Sequence, residues 1–257
     1  MFNFAPRRNR GPAGARGWRA YGVGDIHGRL DLLDELLDKI HEDIAQRPAA
    51  KVLLVFVGDL IDRGPSSAQV VERLRTYKHP GVQPMFLLGN HEEVLLRILG
   101  GEADLITKWR WFGGAECMES YGVDKASFAA LADDEALEVV RGAIPATHRK
   151  FIESFHDSCR FGDYLFVHAG IRPGIDFDQQ RQSDLRWIRD PFLFDETDHG
   201  FVVVHGHTIR PDVEMRPNRI GIDTGAYRSG VLTALAIEGS DTWLLDTRTA
   251  TQEAVSC

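Results

Sequence analysis

Cysteine is scarce in this chain. Cys117, Cys159 and Cys257 are an odd set, and their spacing fits neither a zinc site nor a disulfide framework. A reducing cytoplasm is therefore the expected setting. Long apolar runs are also missing. None approaches the ~20 residues that span a bilayer, so no membrane partner is expected. Net positive charge is lacking too. The formal net charge is -8, which argues against non-specific nucleic-acid binding. Arginines at positions 7, 8, 10 and 16 sit among Gly, Pro and Ala without the apolar stretch of a secretory signal. Residues 1–18 accordingly read as a flexible basic tail ahead of a single domain over 19–250.

What remains is enough for a folded domain. The chain has 257 residues and 43% of them are hydrophobic, so a sizeable core can be buried. Leu30, Leu33, Leu37, Ile40 and Ile44 recur at helical spacing and predict a helix over 29–46. Val52–Val57 is continuously apolar and reads as a buried parallel strand. Pro65–Tyr77 predicts a second helix, Met85–Leu88 a short strand, and His91–Leu99 a third helix. This alternation indicates an α/β domain. Residues 100–150, with Trp109 and Trp111 and a helical stretch at Lys125–Arg141, read as a cap over the sheet edge. Both tryptophans are expected in the cap's own core. Tyr164–Val167, Phe201–Val204, Arg219–Asp223, Val231–Ile237 and Thr242–Leu245 follow with few helices between them, which predicts a second, mixed sheet. The expected architecture is two mixed β-sheets packed as a central sandwich, flanked by helices.

Five apolar runs each end in a polar cluster. The clusters are Gly24-Asp25-Ile26-His27-Gly28, Gly58-Asp59-Leu60-Ile61-Asp62-Arg63-Gly64, Gly89-Asn90-His91-Glu92, His168-Ala169-Gly170 and His205-Gly206-His207-Thr208. In open α/β sheets ligands bind beyond the carboxyl ends of strands, so these clusters are expected to converge on one edge. Asp, Asn and His supply oxygen and nitrogen donors suited to manganese, iron or zinc. Asp25 and His27 are two apart, so an extended strand would point both to one side.

In this order the motifs resemble those of the calcineurin-like metallophosphoesterases. Within that group the chain resembles the phosphoprotein phosphatase family of serine/threonine phosphatases, especially its bacterial members, over roughly residues 20–237. The resemblance implies two divalent ions, manganese first, with iron or zinc as alternatives. Asp25, His27 and Asp59 would hold one ion; Asp59, Asn90, His168 and His207 would hold the other, with Asp59 bridging. A hydroxide shared by the ions would attack phosphorus. His91 would protonate the leaving oxygen as general acid, oriented by Asp62. Arg63 and Arg189 would grip the phosphoryl oxygens. His205 is expected behind the ligands or as a phosphate contact, and Asp223 in a turn that buttresses the site. The expected substrate is a phosphorylated protein or peptide. The alternative is a diadenosine tetraphosphate hydrolase, a branch that by resemblance often lacks the aspartate at position 62 and carries Asp where this chain has Glu92. A silent binding module on the same scaffold is a third reading, and the complete ligand set argues against it.

Overall fold

Alternating burial dictates the layers. A computed structural model describes residues 11–48 and 51–249. Along the chain the strands are β1 (Arg19–Val23), β2 (Val52–Phe56), β3 (Val82–Phe86), β4 (Ser158–Phe161) and β5 (Tyr164–Val167). They continue with β6 (Val202–His205), β7 (Glu214–Met215), β8 (Arg219–Gly221), β9 (Thr233–Glu238) and β10 (Asp241–Asp246). The first sheet has the order β10-β9-β1-β2-β3, with β1, β2 and β3 parallel; the second has the order β4-β5-β6-β8-β7, with β5, β6 and β8 parallel.

Successive side chains on a strand face opposite ways, and the buried clusters follow that rule. Ala20, Leu53, Val55, Leu235 and Ile237 of the first sheet meet Tyr164, Phe166, Val202, Val204 and Ile220 of the second, forming the layer between the sheets. Their neighbours Tyr21, Leu54 and Phe56 face outward against α1 (Leu30–Gln46), α2 (Ser67–Arg75) and α3 (Asn90–Gly100). Leu165, Val167 and Val203 face outward on the other side, against Leu185, Ile188 and Phe192. Both faces of both sheets are thus covered, which is why the strands read as continuous apolar runs.

The cap consists of short helices: α4 (Leu105–Trp109), α5 (Ala115–Ser120), α6 (Lys125–Ala130), α7 (Asp133–Ala143) and α8 (Ala146–Glu153). A single wide turn, Arg110–Gly114, joins α4 to α5. The expected Lys125–Arg141 helix is two helices, because Leu131 and Ala132 are extended. The expected Met85–Leu88 strand is shifted to Val82–Phe86, with Leu87 making only an isolated bridge to His156.

Two further expectations change. The Val231–Ile237 and Thr242–Leu245 strands belong to the first sheet, not the second: β9 pairs antiparallel with β1, and β10 with β9. The chain crosses the sandwich through the Asp223–Gly230 turn before β9 starts. Of the tail, residues 1–10 lie outside the described residues, whereas residues 11–18 pack on both sheets. Ala13 N donates to Asp163, Asp163 N donates to Ala13 O (2.8 Å), and Gly14 N donates to Gly239 O (2.7 Å). Trp18 packs on the layer between the sheets. No helix among the described residues is long and apolar enough to cross a membrane, and Cys117 and Cys159 are free thiols.

Candidate metal centre

The carboxyl ends of β1, β2, β3, β5 and β6 release the chain into loops that meet in one cavity of about 190 Å³. Asp25, His27, Asp59, Arg63, Asn90, His91, Arg189, His207 and Asp223 line it; His168 is buried directly behind. Among the described residues, the non-glycine residues with positive φ are His27 (46°), Asp59 (51°), Asp62 (71°), Arg63 (67°) and His207 (63°). Side chains disfavour this region, and among the described residues it occurs only at predicted site residues. Local strain concentrated this way marks a geometry imposed by surrounding contacts. It also corrects the expectation for Asp25 and His27. They lie beyond β1 in a turn, so their proximity comes from backbone folding rather than strand alternation.

Hydrogen bonds fix the imidazoles. His27 Nδ1 donates to Ile61 O (2.7 Å), leaving Nε2 at 3.7 Å from Asp59 Oδ2. His168 Nδ1 donates to Val57 O (2.8 Å), leaving Nε2 at 3.4 Å from Asp59 Oδ2 and 3.0 Å from Asn90 Oδ1. His207 Nδ1 lies 2.8 Å from Asn90 Oδ1. A ring whose far nitrogen is committed to a backbone carbonyl presents a chosen nitrogen inward, as metal-ligating histidines do. Asp25 Oδ2 accepts from His207 N (3.0 Å), while Asp25 Oδ1 and His207 Nε2 are buried without a partner among the described residues. Buried polar atoms are normally paired.

The electrostatics point the same way. Burial, with Asp223 and Asp59 nearby, pushes Asp25 well above the usual carboxylate range. Burial likewise pushes Asp223 up to about 6. Burial and His168 depress His207 to about 2, and burial and His91 hold His27 well below its usual value. Burial also opposes ionisation of Asp59, but His168, His91 and His27 outweigh it and hold this carboxyl well below normal. A bound divalent cation would relieve each of these penalties at once, since it favours ionised acids and unprotonated imidazoles. Among the described residues two groups could hold an ion: Asp59, His168 and His207, and His27, Asp59 and His91. In the second group His91 stands where the sequence pointed to Asp25. His91 is less suited, because its Nδ1 donates to Asp62 Oδ2 (2.6 Å) and its Nε2 lies 3.3 Å from the Arg63 guanidinium. With Asp25 and Asn90 adjoining the two groups, the donor set fits two borderline-hard ions sharing Asp59.

The other expected residues fall into two groups. Arg63 lies over the Tyr227 ring (4.7 Å) and reaches the cavity; Arg189 reaches it while donating to His207 O (3.2 Å). Asp223 lines the cavity and accepts from Gly225 N (2.9 Å), as a buttressing turn should. His205 does not reach the cavity. It is buried edge-on to Phe192, with Nδ1 donating to Gly206 O (3.0 Å). This places it behind the loop and takes away the phosphate-contact alternative.

Three contributors went unassigned in the sequence. Glu92, fully buried, accepts from the backbone N–H of Leu60 (2.7 Å), Asp59 (2.9 Å) and Gly89 (3.1 Å), tying the β2 loop to the start of α3. Its position in the first turn of a helix was the available signal. Tyr227 supports Arg63 and meets His27 edge-on at 5.4 Å. Trp109 Nε1 donates to Asp62 Oδ2 (2.9 Å), and nothing local announces that contact. Trp111 contradicts its expected place in the cap core: it is 85% exposed, while Trp109 is 1% exposed.

Two sheets, five converging loops and a shared aspartate define a phosphoesterase of the two-metal type. The calcineurin-like phosphoesterase model matches residues 19–230, and the chain belongs to that family. Serine/threonine-protein phosphatase 1 of Salmonella typhimurium is 31% identical, covering 87% of this chain and 94% of its own length. An asymmetrical bis(5'-nucleosyl)-tetraphosphatase of Halalkalibacterium halodurans is 28% identical over 83% of this chain and 87% of its own. A solved structure of a candidate diadenosine tetraphosphatase shares the fold, with a TM-score of 0.62, 20% identity, and coverage of 94% of this chain and 100% of that one. The chain is thus a metal-dependent phosphoester hydrolase.

Proposed function

We propose that this hydrolase is a phosphoprotein phosphatase acting on phosphoserine or phosphothreonine, with a phosphorylated protein or peptide as partner. The observation that carries the reading is the Asp62–His91 pair at 2.6 Å. A serine or threonine alkoxide is a strong base and leaves only if it is protonated. A nucleotide phosphate leaves unaided. A built proton donor is therefore worth most against alkyl phosphates.

In this reading Asp25, His27 and Asp59 hold one ion, and Asp59, Asn90, His168 and His207 the other; manganese is the first choice, iron or zinc the alternatives. When bound, the ions supply positive charge at the phosphoryl oxygens and acidify water. Arg63 and Arg189 bind those oxygens through planar forks and set the phosphoryl orientation. His91 gives its Nε2 proton to the departing oxygen. Although burial disfavours the charged ring, Asp59 and Asp62 raise its affinity for protons, which favours the donor state. Asp62 keeps the ring turned toward the cavity. The free thiols of Cys117 and Cys159 suit a cytoplasmic place of action.

A second reading has its own support. Phe112 (48% exposed), Trp187 (36% exposed) and Lys108 line the cavity rim and offer aromatic faces and a cation to a dinucleotide. The deciding experiment compares kcat/KM for phosphoserine peptides and diadenosine tetraphosphate with manganese supplied. Higher kcat/KM on the peptides is expected; a large preference for the dinucleotide, lost on Trp187→Ala, would overturn the assignment.

A further inference from the structure

Asp62 is wholly buried, and one of its oxygens takes two bonds. Oδ2 accepts from His91 Nδ1 (2.6 Å) and from the indole Nε1 of Trp109 (2.9 Å), which belongs to the cap. Asp62 N donates to Ser67 Oγ (2.9 Å). Its backbone is therefore pinned from the scaffold side and its carboxylate from the cap side. The torsion that turns a carboxylate is broad and roughly two-fold, so one bond to a mobile ring sets its plane poorly. A second donor on the same oxygen removes that freedom.

The indole is itself fixed. Gly114 lies flat against it, so that a Cβ there would stand 2.3 Å from the ring. Phe128 meets it edge-on, with centroids 6.3 Å apart. One turn further on, Gly113 O accepts from Arg63 N (3.2 Å). The cap thus touches two adjacent residues of the β2 loop, Asp62 and Arg63.

The geometry points to Trp109 as a positioning residue for the proton donor: its indole N–H holds the Asp62 carboxylate in the plane that orients His91. The cap is then part of the catalytic apparatus as well as its rim. This inference rests on the general-acid reading of His91, and its test separates the two. Trp109→Phe keeps an aromatic ring and deletes the N–H. Losing a hydrogen bond to a buried carboxylate should lower kcat on phenyl phosphate about tenfold, with KM within about twofold. On 2,4-dinitrophenyl phosphate, whose leaving group needs no proton, the loss should shrink to about threefold or less. In an Asp62→Ala background the same change should cost nothing further, because residues acting through one another are non-additive. Additive losses, or equal losses on both esters while His91→Asn still discriminates between them, would overturn the role of Trp109. Equal losses for His91→Asn on both esters would instead remove the general-acid reading.

A measurement on the bond itself needs no kinetics. The chain has five tryptophans. With ¹⁵N-labelled tryptophan, one indole N–H should exchange slowly with solvent, move on Asp62→Asn and vanish in Trp109→Phe. Five indole signals unmoved by Asp62→Asn would refute the contact.

Discussion

The strand-end loops and the cap border the same cavity, yet they are held in different ways. The loops use buried polar groups, strained backbone and carbonyl partners that leave no freedom at His27, Asp59 or His168. The cap is ordinary short helix, with Trp111 and Phe112 open to solvent and Trp109 and Gly113 bonded to Asp62 and Arg63. The contrast teaches where constraint is needed. Ion binding and proton transfer tolerate errors of a few tenths of an ångström, so their residues are fixed from several sides. Substrate choice works through a surface that tolerates variation, in line with similarity to both a protein phosphatase and a dinucleotide hydrolase.

The largest expected effect falls on the loop side. Asp59→Asn should weaken both ions, by more than the roughly 10–100-fold typical of losing an outer partner. Metal analysis after dialysis should find fewer than two ions per chain, with activity lost in step; two ions at native affinity would deny the bridging role.

Gly113→Ala probes the seam between the regions. Its φ is +104°, and a Cβ would stand 2.2 Å from Arg63 N. Strain and clash together should cost about 2–4 kcal/mol. Chemical denaturation should show this, along with a raised KM as Arg63 is displaced. A near-neutral result would mean that the cap rides loosely on the loops.

A comparable effect is expected at His205, on the loop side. Burial lowers this ring to about 4 from its ordinary 6.5. Between those values the unfolded chain binds the proton and the folded one does not. Stability should therefore fall as pH drops from 6.5 toward 4, by at most about 3 kcal/mol from this group. Urea midpoints across that range should show the decline, and His205→Gln should flatten it; an unchanged slope would assign the acid limb elsewhere.

The smallest effect belongs to the cap's outer face. Trp111→Ala should change stability by no more than about 0.5 kcal/mol, since the side chain is 85% exposed. This reverses the expectation from sequence. A larger loss would show that the ring packs in solution.

What could be read from sequence follows the same division. An apolar run ending in Asp, His or Asn marks a strand and its loop together, so the clusters that carry Asp25, Asp59, Asn90, His168 and His207 were legible by position, while the choice of these residues as ligands came from the family resemblance. The sheet holding β9 and β10 was not. Ala234 and Leu235 are buried on opposite faces, and a strand covered on both sides carries no sign of which neighbours it pairs with. Trp109 and Trp111 looked equivalent as letters. Two positions apart on a helical path they face opposite ways, so one entered the site and the other met water. His205 and His207 share a similar fate: the left-handed backbone at His207 turns it into the cavity and leaves His205 behind.

The segment before β1 gives the sandwich a clasp. Ala13 and Gly14 join the β4–β5 turn of one sheet to the β9–β10 turn of the other, at the end away from the cavity. At the cavity end the sheets are joined by the donor set itself, because Asp25, His27, Asp59 and Asn90 come from one leaf and His168 and His207 from the other. The molecule is therefore a book fastened at spine and fore-edge. Chelation would take away only the ions' share of the fore-edge, because the bonds from His207 N to Asp25 and from His168 to Val57 O still cross between the pages, so the metal-stripped chain should stay closed at both edges.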